Sequence, residues 1–92
     1  MPTSPGSDRE NSVFLYALST CAMCKAVKKL LSDLNVAYDF IDVDLLEGIE
    51  KESAKQEMRR WDRRNPFPML IINNETCIVG DEPEAIRKAL GK

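Results

Sequence analysis

The longest apolar run of the chain, Val13-Phe14-Leu15-Tyr16-Ala17-Leu18, contains no polar position, the pattern of a strand buried on both faces. Beyond Ser19, Thr20 and Cys21 the period changes. Val27, Leu30, Leu31 and Leu34 recur at i, i+3, i+4 and i+7, which predicts an amphipathic helix of about a dozen residues. Asn35 is a stop signal for it. Residues 36–43 are rich in β-branched and aromatic side chains and predict a second strand. From about residue 46 to 64 the text is polar, with Ile49, Ala54, Met58 and Trp61 spaced for one helical face. Glu47–Lys51 and Glu57–Arg60 are placed to pair along that helix, each contributing a few tenths of a kcal/mol. Pro66 and Pro68 stop it. Residues 69–72, all apolar, predict a third buried strand, Asn73-Asn74 a tight turn and residues 76–79 a fourth strand. Pro83 follows Gly80-Asp81-Glu82 as the first residue of a last helix, where its missing N–H is harmless. Ala85, Ile86, Ala89 and Leu90 give that helix its apolar face.

The order is therefore β-α-β-α-β-β-α. A first βαβ unit implies parallel strands, and the Asn-Asn turn implies an antiparallel hairpin. The expected fold class is α/β, a four-stranded mixed sheet between helices in three layers. With 92 residues the chain has room for one core only. Residues 1–12, rich in Pro, Ser and Gly with nothing apolar to bury, are expected to be a disordered N-terminal arm, and residues 13–92 the domain.

Hydrophobic residues make up 43% and charged residues 30%, with a net charge of −2. That balance suits a globular domain and argues against bulk electrostatic binding of nucleic acid. No apolar run approaches the roughly 20 residues that cross a bilayer, and no basic-then-apolar leader opens the chain. The expectation is a cytoplasmic protein, without nucleic-acid or membrane partners and monomeric.

Cysteine and histidine usage changes the picture most. The chain has three cysteines and no histidine, which removes Cys–His nucleophile pairs and every histidine-containing metal site. A closed zinc site would need Cys21, Cys24, Cys77 and a carboxylate, so no metal site is expected. What remains for Cys21-Ala22-Met23-Cys24 in a reducing compartment is thiol–disulfide chemistry. Cys21 falls where a buried strand feeds a helix, whose free N–H groups and partial positive charge favour an anion such as a thiolate. Cys24 follows one turn later, near enough to close a disulfide and reopen it. Lys25, Lys28 and Lys29 add positive potential in the first two turns. For thiols generally, a fall in pKa from about 8.5 to about 6 raises the thiolate fraction about thirtyfold, and lower intrinsic nucleophilicity takes back about thirteenfold. Exposure of the Cys21 sulfur and its departure from a mixed disulfide should therefore matter more than thiolate fraction. Cys77, on the fourth strand, reads as a buried inert thiol. Arg59, Arg60, Arg63 and Arg64 read as a solvated face, and Asp42 and Asp44 receive no catalytic role.

Cys21-Ala22-Met23-Cys24 after an apolar strand, Phe67-Pro68 opening the third strand and Val79-Gly80-Asp81 before the last helix resemble the glutaredoxin family. The likeness runs from Val13 to about Leu90 and implies a thioredoxin-like fold. It implies a disulfide reductase in which Cys21 and Cys24 are catalytic, acting in electron transport through a dithiol–disulfide cycle. It also implies a cis peptide bond before Pro68, and a substrate or glutathione surface formed by Thr20, Met23, Arg64, Phe67, Pro68, Gly80 and Asp81. The sequence departs from the family pattern in three places. Ala22 and Met23 stand for Pro and Tyr, Leu18 for a lysine that pairs with a glutathione carboxylate, and Gly80-Asp81-Glu82 for a longer glycine–aspartate motif. The implied partners are disulfide-containing proteins, with glutathione or thioredoxin reductase as electron source, and no tightly bound cofactor. A glutathione-ligated iron–sulfur module using Cys21 is the alternative.

Overall fold

A computed structural model describes residues 11–92; the expectation for residues 1–10 lies outside that range. The element order is β1 (Val13–Ala17), α1 (Ala22–Asp33), β2 (Asp39–Asp42), a 3₁₀ turn (Val43–Leu45), α2 (Gly48–Trp61), β3 (Met69–Ile72), β4 (Thr76–Val79) and α3 (Pro83–Leu90). The strands form one sheet in the order β2-β1-β3-β4. β1 runs parallel to β2 with Ala17 opposite Asp42. It runs antiparallel to β3 with Leu15 opposite Leu70, and β3 is antiparallel to β4.

Strand alternation divides the core in two. Val13, Leu15 and Ala17 of β1 and Leu70 and Ile72 of β3 pack with Cys24, Val27 and Leu31 of α1 and Ile86 and Leu90 of α3. On the other face Met69 and Ile71 pack with Ala54 and Met58 of α2 and with Val43. The sheet is thus sandwiched between α1/α3 and α2, the three layers expected. β3 is central and buried at all four positions, as an uninterrupted apolar strand requires.

Several local expectations are corrected. β1 is not buried on both faces: Phe14 and Tyr16 are half-exposed, because α2 covers their side of the sheet only partly. The second strand is shorter than residues 36–43. Val36, Ala37 and Tyr38 are buried in the approach to it, and Val43 already belongs to the 3₁₀ turn. In α2 the apolar face begins at Ala54, whereas Ile49 is 85% exposed. Glu47 caps the helix in an extended conformation with φ −132°, so helical i,i+4 geometry with Lys51 does not apply; the Glu57–Arg60 pair does form, at 3.0 Å. Ala85 of α3 is exposed.

Asparagines take the left-handed positions. Asn73 and Asn74 have φ of 55° and 54°, the type I′ geometry that suits a twisted hairpin. Asn35 follows α1 with φ 57°, as a left-handed helix stop. Asn11 and Ser12 belong with the fold rather than with an arm. Ser12 N–H donates to Asn73 Oδ1 at 2.8 Å, and the Asn73 N–H donates to the Ser12 carbonyl at 2.7 Å. No described helix is long and apolar enough to cross a membrane.

Candidate active site

The chain leaves β1 at Ala17 and reverses in a turn in which the Cys21 N–H donates to the Leu18 carbonyl at 3.2 Å. Cys21 is the N-cap of α1, with φ −86° and ψ 119°. Its Sγ accepts the Cys24 N–H at 3.2 Å, the place a serine or aspartate oxygen takes in most helices. Its carbonyl accepts the Lys25 N–H at 3.1 Å, the first bond of the helix. A negative charge on this sulfur is therefore met by a backbone donor and the positive end of a twelve-residue helix. Cys21 is half-exposed, and Cys24 is fully buried against the first core cluster. Burial, and then the hydrogen bond between the two cysteine side chains, pushes the Cys24 thiol up to about 12. One sulfur faces solvent and the other waits beneath it, protonated.

The lysines of α1 are less available than the sequence suggests. Lys28 Nζ lies 3.1 Å from Asp42 Oδ1 and 4.2 Å from the Phe40 ring centroid. Lys29 pairs with Asp33. Lys25 is exposed and pairs with no carboxylate among the described residues.

The peptide bond between Phe67 and Pro68 is cis. Pro68 is buried, and its carbonyl accepts the Gly80 N–H at 2.9 Å. That bond ties the proline loop to the turn that carries Gly80, at φ 88°, and the exposed Asp81. Phe67 borders both core clusters, and Cys21 borders the first. Thr20 is exposed in the turn before Cys21, and Met23 is 51% exposed in the first turn of α1. Arg64 is engaged within its own loop. Its Nε and Nη2 donate to the Asp62 carboxylate at 3.1 and 2.8 Å, which holds that carboxyl down to about 2.

Cys77 does not join this group. It is half-buried rather than buried and packs on the α2 face of the sheet, opposite to Cys24. The three cysteines therefore do not converge on one ion. Burial, and then the Asp62 carboxylate, pushes the Cys77 thiol up.

One contact was missed from sequence. The Asp44 carboxylate accepts the Ser19 N–H at 2.8 Å through Oδ1 and the Ser19 hydroxyl through Oδ2. The β1–β2 register contains the signal: Ala17 lies opposite Asp42, so two residues further on Ser19 comes level with Asp44.

The glutaredoxin family model matches residues 13–77. The chain belongs to the glutaredoxin family. It is 47% identical to the crystal structure of the glutaredoxin from Methanosarcina mazei, covering 99% of this chain and 87% of that one, with a TM-score of 0.89. It is 44% identical to Methanosarcina acetivorans methanoredoxin over 88% of this chain and 85% of that one, with a TM-score of 0.85. It is 30% identical to a glutaredoxin-like 8.6 kDa protein of a Clostridium pasteurianum rubredoxin operon, over 85% of this chain and 96% of that protein. Family and fold together support a thiol–disulfide oxidoreductase-type function, and the spacing of Cys21 and Cys24 fits a C-x-x-C motif.

Proposed function

We propose that the protein reduces protein or small-molecule disulfides through a dithiol–disulfide cycle of Cys21 and Cys24. The Cys21 thiolate attacks one sulfur of a substrate disulfide, forming a mixed disulfide and releasing the first substrate thiolate. Cys24 loses its proton and attacks the Cys21 sulfur, releasing the second thiolate and leaving a Cys21–Cys24 disulfide. Two electrons have then passed to the substrate, and an external thiol reductant returns them. The cycle needs no tightly bound cofactor.

The observation that carries this reading is the pairing of a half-exposed N-cap sulfur at Cys21, which accepts the Cys24 N–H, with a fully buried one at Cys24. The asymmetry supports this division of roles, with Cys21 meeting the substrate and Cys24 attacking the sulfur of Cys21 from within. Around them Met23 and Phe67 offer an apolar rim. The cis Phe67–Pro68 loop offers an extended edge for a substrate chain. Asp81 and the remaining Arg64 Nη1 donor would meet the charged ends of glutathione. A reducing cytoplasm suits a protein of this kind.

The test is a coupled assay of NADPH oxidation with a model disulfide. Electrons are supplied in one arm by glutathione and its reductase and in the other by thioredoxin reductase. Turnover in either arm, abolished by Cys21→Ser, supports the reading and names the electron source. Failure in both arms and with excess dithiothreitol as donor would end it.

A further inference from the structure

Cys21 enters its helix from a turn of three residues, Leu18, Ser19 and Thr20, of which Thr20 is exposed. Within the turn one backbone bond, Cys21 N–H to the Leu18 carbonyl, closes the reversal. Beyond that bond, the turn holds itself by no other backbone hydrogen bond among the described residues. Asp44 supplies the missing constraint. Both of its oxygens reach from the 3₁₀ turn to Ser19, across 25 residues of chain. Neighbouring Val43 is 2% exposed and packs with Ala54 and Met58 of α2. Asp44 is thereby mounted on the second core cluster, while Cys21 borders the first.

We propose that Asp44 is a positioning residue for the reaction of Cys21: by accepting both the N–H and the hydroxyl of Ser19, it fixes the turn that aims the Cys21 sulfur. The two hydrogen bonds from Ser19 also hold the Asp44 carboxyl below the ordinary carboxylate range, so the acceptor stays ionised throughout the neutral range. Asp44 touches neither sulfur, and it acts through Ser19. Its use in turnover rests on the dithiol cycle above, whereas its effect on Cys21 geometry does not.

The experiment uses the full chain with Asp44→Ala, Asp44→Asn and Ser19→Ala. It measures two rates chosen to be blind to charge steering. One is alkylation of Cys21 by the neutral reagent iodoacetamide, followed site by site by mass spectrometry. The other is kcat/KM for the neutral bis(2-hydroxyethyl) disulfide, with dithiothreitol as donor. Thermal midpoints are recorded as a control on folding. Losing both hydrogen bonds should slow each rate about tenfold in Asp44→Ala. Ser19→Ala keeps the backbone bond and should lose about threefold. Asp44→Asn should stay within about twofold of wild type, because its amide oxygen can accept the Ser19 N–H and its amide N–H can donate to the hydroxyl. Thermal midpoints should fall by no more than about 10 °C, leaving each variant folded at the assay temperature.

Wild-type rates in Asp44→Ala would overturn the proposal. So would an Asp44→Asn as slow as Asp44→Ala, since the negative charge, and not the pair of bonds, would then matter. If Asp44→Ala fails to fold, wild-type rates in Ser19→Ala, or an Asp44→Asn slowed about tenfold, would overturn the proposal instead. Slowed alkylation in a protein that reduces no disulfide would uphold the positioning role and defeat the proposed function alone.

Discussion

The burial of Cys24 makes a prediction about how the second half of the cycle depends on pH. The thiol is fully buried, and burial first, with the hydrogen bond to Cys21 second, pushes it from 9.0 up to about 12. At neutral pH a thiol at that value is ionised in roughly one molecule in 10⁵, against about one in 100 for an unperturbed one. When Cys21 enters a mixed disulfide its charge and that hydrogen bond are lost, so the second cause vanishes and the first remains. Cys24 should therefore still titrate above 9.0 in the intermediate. Below that value the thiolate fraction grows tenfold per pH unit, and the rate of internal attack grows with it. Rapid mixing of the reduced protein with excess dithionitrobenzoate separates the steps. One thionitrobenzoate leaves as Cys21 reacts, at a rate set by the reagent concentration, and a second leaves when Cys24 attacks, at a rate that is not. A Cys77→Ser background removes the third thiol from the signal. The logarithm of the second rate should rise with a slope near 1 from neutrality to about pH 8 and should still be rising at pH 9. A plateau setting in near pH 8.5, or a rate independent of pH, would refute the argument, because Cys24 would then be no harder to ionise than an exposed cysteine.

Other consequences follow from packing and charge. Met58 is fully buried against β3 while Ile49 is 85% exposed on the same helix. Urea denaturation should therefore show Met58→Ala losing about 2–5 kcal/mol and Ile49→Ala changing stability by no more than about 0.5 kcal/mol. Arg64 holds the Asp62 carboxyl down to about 2 from an ordinary 3.8, so in Arg64→Ala an NMR titration should find that carboxyl returned toward 3.8. If Arg64 also meets a glutathione carboxylate, the same variant should raise KM several-fold for glutathione-containing disulfides and leave KM for neutral ones unchanged.

The elements that define the architecture were legible because their signals are local. The apolar stretches at Val13–Ala17 and Met69–Ile72, the helical period of Val27, Leu31 and their neighbours, and the paired asparagines each act over a few residues. Their order then implied the mixed sheet. What was not legible depends on distance across the fold. Ile49 has the spacing of a core residue, but α2 begins only at Gly48, and in this first turn Ile49 is left 85% exposed. Phe14 and Tyr16 look like core for the same reason and are left half-covered. Within the site, Cys21, Cys24 and the Phe67–Pro68 pair carry motifs that a reader of the chain can find. The Ser19–Asp44 contact carries none, because it arises from strand register rather than from adjacency. The engagement of Lys28 with Asp42 and of Arg64 with Asp62 was likewise hidden, since charge alone does not say which carboxylate will be nearest.

The division of labour between an exposed attacking sulfur and a buried second one is tested most directly by intercepting the intermediate. Cys24→Ser protein, incubated with a disulfide-containing peptide and quenched with acid, should show by intact mass one peptide joined through Cys21 at full occupancy. Cys21→Ser should carry none under the same conditions, both variants being made in the Cys77→Ser background. Equal labelling of the two variants, or attachment at the remaining Cys24 when Cys21 is replaced, would contradict the account.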